Sequence, residues 1–283
     1  MVMGMLFNKK DKTKSVDMNK YIEDFYNGNV SFDIKEAYKT IRTNLMFTTN
    51  SIKGCKKLIV TSANPGEGKS TSSINLAISF SQVASKSRVL LVDSDLRNPT
   101  VHKRLGVDNS VGLSSGLSGF NTFDEIITKS KFGFDCITSG PIPPNPAELI
   151  TGEKMLELIE WLSDKYDYIL FDTQPINVVS DAIILSKYTD GSVLVVRNKY
   201  TTHPSLVRAL KNFEFAASNV VGFLLNDKTV SDETGIYKYK YGYRYGSKYG
   251  YRYKYGYRYG YGYGYGYDVG GKNKRRWLND WFS

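Results

Sequence analysis

Lys57-Leu58-Ile59-Val60-Thr61 runs straight into Ser62-Ala63-Asn64-Pro65-Gly66-Glu67-Gly68-Lys69-Ser70-Thr71, and Ile74, Leu76, Ala77, Ile78 and Phe80 then continue with helical spacing. A short buried strand, a glycine loop and a helix therefore follow one another without a break. In Pro65, Gly66, Glu67, Gly68, Lys69, Ser70 and Thr71 the glycines let backbone N–H groups close around phosphates, and the helix N-terminus adds positive potential. Lys69 can reach the β and γ phosphates of ATP, and Ser70 can ligate Mg²⁺. The loop departs from the GxxxxGK[ST] pattern at one position, because Ala63 stands where the first glycine is expected. A glycine turn that binds nothing is the plain alternative, and the strand and helix on either side favour nucleotide binding.

Working outward, apolar runs recur at 89–92, 134–138, 168–171, 192–196 and 220–225, with helix-length segments between most of them. This alternation predicts an α/β fold, a parallel sheet with helices on both faces, and the glycine loop makes it one of the P-loop NTPase type. A helix is expected over 33–48, where Asp33 and Glu36 have capping-box spacing and Ala37, Tyr38, Ile41 and Leu45 share a face. Residues 139–146, SGPIPPNP, read as a stiff loop at the carboxyl end of a strand, with Asn145 and Pro146 opening the next helix. Ligands of open α/β sheets bind at that edge. Residues 1–32, with the basic run KKDKTKS at 9–15, are expected to be a flexible leader, and 33–230 the folded domain.

The chain has 283 residues and a net charge of +10, and that charge is unevenly placed. From 237 to 283 there are 11 Lys+Arg against 2 Asp+Glu, whereas 1–236 holds 27 against 26. The body is neutral and the tail is basic. Within 237–267 lie 15 Tyr, 8 Gly, 7 Lys+Arg and one Ser, a composition that lacks the aliphatic residues of a core. Residues 231–283 are therefore expected to form a flexible tail. Two cysteines, Cys55 and Cys136, exclude a disulfide scaffold, and no apolar run reaches the roughly 18 residues of a membrane span. Those features predict a cytoplasmic chain.

Two further strands each deliver acid at the carboxyl end. Val89 to Val92 leads into Asp93-Ser94-Asp95-Leu96-Arg97, and Tyr168 to Phe171 into Asp172-Thr173-Gln174-Pro175. An acid after a hydrophobic strand can hold Mg²⁺ directly or through water beside a triphosphate. Any one of these acids alone could be a helix cap or a solvated turn, but three on two strand ends beside a phosphate loop form a set. Asp93 and Asp95 alternate along an extended chain, so one can serve metal while the other faces a hydroxyl. Such a set supports nucleotide hydrolysis or phosphoryl transfer without choosing between them. The tyrosines of the tail supply an acceptor.

With the glycine loop, LLVDSDLR at 90–97, ILFDTQP at 169–175, SGPIPPNPAEL at 139–149 and the tyrosine cluster, the chain resembles the bacterial protein-tyrosine kinases of capsular and exopolysaccharide synthesis. The likeness is to their cytoplasmic form, a separate chain in Firmicutes related to the MinD and ParA ATPases. It implies that Lys69, Asp93, Asp95 and Asp172 are catalytic. Lys69 would act on the phosphates, Ser70, Asp93 and Asp172 at Mg²⁺, and Asp95 as base for the incoming tyrosine. The implied phosphoacceptors are Tyr237, Tyr239, Tyr241, Tyr243, Tyr245, Tyr249, Tyr251, Tyr253, Tyr255, Tyr257, Tyr259, Tyr261, Tyr263, Tyr265 and Tyr267. It also implies a ring-like homo-oligomer, joined through an Glu-x₂-Arg-x₂-Arg motif that reads here Glu36, Lys39 and Arg42. Other implied partners are a membrane adaptor of the polysaccharide copolymerase type, which recruits the chain to the inner face of the plasma membrane, and a cognate tyrosine phosphatase. Lys39 lacks the planar fork of arginine. Gln174 replaces a frequent proline and is expected to matter little.

About five to six phosphotyrosines, at about −1.5 to −2 each, would cancel the tail's positive charge, which predicts a charge switch. The basic-aromatic end, 272–283, suits either a membrane interface or no partner at all. Two other functions fit the same residues. A ParA/MinD-like partitioning ATPase would carry a second lysine where this chain has Asn64. A tail that stacks tyrosines on bases would make the chain a single-stranded nucleic-acid binder, the less favoured reading.

Overall fold

The structure is a computed structural model, which describes residues 2–4, 17–83 and 87–227. The expectations for the tail, its tyrosines and 272–283 lie outside the described residues. In chain order the elements are β1 (Val2–Gly4), α1 (Met18–Asn27), α2 (Phe32–Thr48), β2 (Lys56–Ser62), α3 (Lys69–Ser81), β3 (Val89–Asp93), α4 (Val101–Leu105) and α5 (Leu113–Leu117). They continue with β4 (Thr128–Lys129), β5 (Asp135–Ile137), α6 (Pro146–Thr151), α7 (Glu153–Ser163), β6 (Tyr168–Asp172), α8 (Asp181–Ser186), β7 (Gly191–Arg197), α9 (His203–Phe215) and β8 (Val220–Asn226).

One eight-stranded sheet runs in the order β1-β8-β7-β2-β6-β3-β5-β4. All pairs are parallel except β4 with β5. The inner strands read as unbroken apolar runs because both faces are covered. Leu58 and Val60 pack with Tyr38, Ile41, Leu45, Ile74 and Phe80 of α2 and α3 on one face. Ile59, Ile169 and Phe171 pack on the other with Met155, Leu158, Leu162 and Leu185 of α7 and α8. β2 therefore sits mid-sheet, between β7 and β6, and its carboxyl end is fixed from both sides.

The amino-terminal expectation needs correction: residues 18–27, placed in a flexible leader, form α1. Asp17 caps it, accepting from the N–H of Asn19 at 3.0 Å, and Gly28 ends it in the left-handed conformation at φ 77°. Ile22 and Phe25 are buried, and Phe25 meets the Tyr38 ring edge-on at 5.0 Å between centroids. Apolar burial thus outweighs the polar flank that suggested disorder. The capping box expected at Asp33 and Glu36 does not form either. Ser31 occupies the N-cap position without a side-chain bond, and Glu36 accepts from Lys39 Nζ at 2.7 Å.

Candidate active site

Three strand ends meet the glycine loop at one edge of the sheet. In register, Val60 of β2 pairs with Asp172 of β6, and Asp172 with Asp93 of β3, so the carboxylates stand side by side beneath the start of α3. The loop is held from within and from behind. Buried Glu67 turns inward, where Oε2 accepts from the Ala63 N–H at 2.9 Å. Its Oε1 accepts from Asn64 Nδ2 at 2.9 Å and from the Thr201 hydroxyl at 2.7 Å. Asn226 Nδ2, at the end of β8, donates to the Glu67 carbonyl at 2.9 Å. From the turn after β7 the Tyr200 hydroxyl donates to the Pro65 carbonyl at 3.1 Å, and from the end of β7 Arg197 Nη1 donates to the Gly66 carbonyl at 3.2 Å.

Two of the loop glycines are geometrically required. Gly68 has φ 92°, and a Cβ there would fall 2.1 Å from Asn226 Nδ2. Gly66 has φ 77°. In both, the left-handed backbone is open to glycine at little cost.

Lys69 Nζ lies 3.2 Å from Asp95 Oδ2, in a pair that is largely shielded from solvent. Burial works against the Lys69 ammonium, but the charges of Asp172 and Asp95 outweigh it and hold the pKa above the ordinary lysine value. Asp95 Oδ1 accepts from the Asn98 N–H at 3.0 Å. Asp93 accepts from two backbone groups, Asp95 N–H at 3.2 Å and Val101 N–H at 3.1 Å, so it shapes the loop that carries Asp95. Burial, reinforced by the neighbouring charge of Asp172, pushes the Asp93 carboxyl well above its ordinary value. Burial also raises Asp172, against the opposing Lys69 charge and the Ser70 and Ser73 hydroxyls.

Asp172 Oδ1 accepts from Ser73 at 3.0 Å, while Oδ2 is buried and has no partner among the described residues. An orphaned carboxylate oxygen beside the Ser70 hydroxyl is the donor set a hard divalent cation takes. The residues present therefore fit Mg²⁺. Above them is a cavity of about 370 Å³ lined by Gly66, Gly68, Lys69, Ser70, Asp95 and Arg104, among others.

A family model described as an AAA domain matches residues 55–218. The tyrosine-protein kinase YwqD of Bacillus subtilis is 42% identical over 208 residues, covering 72% of this chain and 86% of that protein. The chain belongs to the bacterial protein-tyrosine kinases of capsular and exopolysaccharide synthesis. The tyrosine-protein kinase etk of Escherichia coli K12 is 37% identical over 196 residues, 68% of this chain but 26% of its own length. The solved kinase domain of the E. coli tyrosine kinase ETK superposes with a TM-score of 0.72 at 30% identity, covering 85% of this chain and 94% of that one. The partitioning-ATPase reading is not favoured. Asn64, at the position of its second lysine, is bonded instead to Glu67 and to Ser205 Oγ at 3.0 Å.

Around the cavity the structure brings Lys69, Ser70, Asp93, Asp95 and Asp172 together, and it separates the loop residues by position. Gly66, Gly68, Lys69 and Ser70 line the cavity, whereas Glu67 braces the loop from below. Thr71 accepts from Arg104 Nη1 at 2.6 Å, and Arg104 lines the cavity too. Sequence reasoning missed Arg104, Tyr200 and Asn226, which reach the loop from distant segments. It also underrated Gln174: the side chain is buried in the cavity wall, and neither Nε2 nor Oε1 has a partner among the described residues. Glu36, Lys39 and Arg42 lie elsewhere, on α2. Arg42 Nη1 donates to the Ser79 carbonyl of its own chain at 2.8 Å, and Glu36 and Lys39 pair with each other.

Proposed function

We propose that this kinase transfers the γ-phosphoryl group of ATP to tyrosines 237–267 in the tail of a neighbouring copy. The pairing of Lys69 with Asp95 at 3.2 Å carries the reading, because it ties the phosphate-binding cation to the proposed base. The negatively charged oxygens of a triphosphate compete with Asp95 as acceptors for the Lys69 ammonium, and Asp95 is released as Lys69 turns to phosphate. Asp95 then takes the phenolic proton, the tyrosyl oxygen bonds to the γ-phosphorus, and ADP leaves with the electrons of the broken bond. The backbone of Gly66 to Thr71 and Arg104 orient the phosphates. Mg²⁺ held by Ser70 and Asp172 would neutralise phosphate charge, and Asp93 supports that site by fixing the loop that carries Asp95.

Several features support the wider assignment. Fifteen tyrosines in a segment that itself holds no Asp or Glu, 237–267, offer many acceptors. No helix among the described residues is long and apolar enough to cross a membrane, which accords with recruitment by a membrane adaptor. The chain then works as a ring-like oligomer, in which tail phosphorylation cancels positive charge, loosens the ring and so regulates polymer export, with a cognate phosphatase resetting it. Mixing experiments test the intermolecular step. With Mg-ATP, full-length Lys69→Met gains phosphotyrosine only when wild type is present; phosphotyrosine confined to the wild-type copies refutes transfer between neighbours.

A further inference from the structure

The cavity at the glycine loop has two chemically different walls. One is the phosphate side: Gly66, Gly68, Lys69, Ser70, Arg97 and Arg104. The other is formed by Gln174, Pro175, Val178 and Val179, from the segment that follows β6. Apolar residues offer nothing to a polyphosphate. Yet Val178 is 59% exposed at the rim, while Gln174 is only 4% exposed and neither polar end of its amide has a partner among the described residues. A buried amide left unmatched is costly, so such a group points to a ligand that completes it.

This wall is held in place by hydrogen bonds to neighbouring elements. Thr61 Oγ1 donates to the Gln174 carbonyl at 2.7 Å, the Ile176 N–H to the Ser62 carbonyl at 2.9 Å, and Asn177 Nδ2 to the Ser205 carbonyl at 2.8 Å. The Val178 N–H closes a turn on the Pro175 carbonyl at 3.0 Å. The segment is thus tied to β2 and α9, and the Gln174 amide with the three apolar side chains beside it is presented as a preformed surface.

We propose that Gln174, Pro175, Val178 and Val179 form the subsite for the acceptor tyrosine, resting on the kinase reading above. A phenol matches this wall in both of its parts. The ring buries apolar area against Pro175, Val178 and Val179, and the hydroxyl, which is donor and acceptor at once, meets an amide that is also both. Asp95 lines the same cavity, so the hydroxyl bound there faces the base. Gln174 is then a residue that touches substrate, and the departure from the family's proline is a specificity feature of this chain.

The test uses the full chain and a synthetic peptide copying residues 249–259 as acceptor, with initial rates measured at saturating Mg-ATP and ATP affinity measured separately. Val178→Asp raises the peptide KM about tenfold, and Gln174→Leu lowers kcat about tenfold, while both bind ATP within about twofold of wild type. Gln174→Asn, which keeps a shorter amide, falls between. Phe120→Asp, at a side chain 84% exposed and outside the cavity, serves as control and changes neither constant. Should Val178→Asp fold poorly, Val178→Ser gives the same direction with a smaller rise in KM. An unchanged KM in a folded Val178 variant, or ATP affinity falling in step with the peptide constants, overturns the subsite and makes this wall part of the nucleotide pocket. Absence of transfer by wild type to any tyrosine overturns the kinase reading, and the subsite with it.

Discussion

Replacing Glu67 by alanine tests whether the glycine loop is preorganised by its own side chain. The carboxylate is fully buried and accepts three hydrogen bonds, from Ala63 N–H at 2.9 Å, Asn64 Nδ2 at 2.9 Å and Thr201 Oγ1 at 2.7 Å. Asn64 and Thr201 are partly accessible and can turn to water. The Ala63 N–H cannot, because Ala63 is fully buried, and leaving such a donor unmet costs about 1–3 kcal/mol. With a further contribution from the two weakened side-chain bonds, the expected loss is about 2–4 kcal/mol. For a domain of this size that corresponds to a fall in Tm of roughly 4–16 °C. Calorimetry of the nucleotide-free full chain reads it directly, and titration with ADP reads the accompanying loss of affinity. Glu67→Gln keeps acceptor capacity on one oxygen and is expected to lose about half as much. A Glu67→Ala protein that melts within about 1 °C of wild type and binds ADP equally well would show that the loop is shaped without this brace.

Lys69→Met should abolish phosphotransfer and leave Asp95 without its cation, a destabilisation of about 3–5 kcal/mol for a shielded pair. Adding Asp95→Asn should restore most of the stability and none of the activity, and a double variant as unstable as the single one by chemical denaturation would contradict the pairing. Gly68→Ala is expected to cost about 1–2 kcal/mol from its left-handed backbone, together with the clash at Asn226 Nδ2. Combining it with Asn226→Gly should relieve the clash alone, so complete recovery of Tm would show that backbone strain is not at issue. Arg42→Ala should lower stability by about 1–2 kcal/mol at every protein concentration, because Arg42 holds the Ser79 carbonyl within its own chain. Dissociation of the oligomer with an unchanged Tm, by light scattering and calorimetry, would instead assign Arg42 to a neighbour.

The inner strands and the acids at their carboxyl ends were legible because each is a local pattern. Val89 to Asp93 and Tyr168 to Asp172 are apolar runs that end in acid, and a parallel sheet brings those ends to one edge by construction. What the pattern cannot carry is partnership over long sequence distance. Nothing local says that Asn226 reaches Glu67, that Tyr200 closes on Pro65, or that Arg42 bends toward Ser79 instead of lying along an outer face. Glu36 and Lys39 likewise satisfy each other, so charge spacing alone did not reveal where those side chains point.

The helix α1 is a different case, since its signals were present. Asp17 and Gly28 bracket it as caps, and Tyr21, Ile22, Phe25 and Tyr26 repeat with helical period, but the neighbouring basic run dominated the composition. Gln174 shows the reverse limit. Its departure from a proline was visible, whereas its significance depends on burial beside the cavity, which only the packed structure supplies.

The most direct measurement is phosphotyrosine mapping by mass spectrometry of the full chain after incubation with Mg-ATP and source membranes, comparing wild type with Lys69→Met and Asp95→Asn. Phosphate on residues 237–267 in wild type, and on neither variant, is the predicted result. Unmodified tails in all three proteins, while wild type still consumes ATP, would contradict the kinase account and leave a nucleotide-hydrolysing switch in its place.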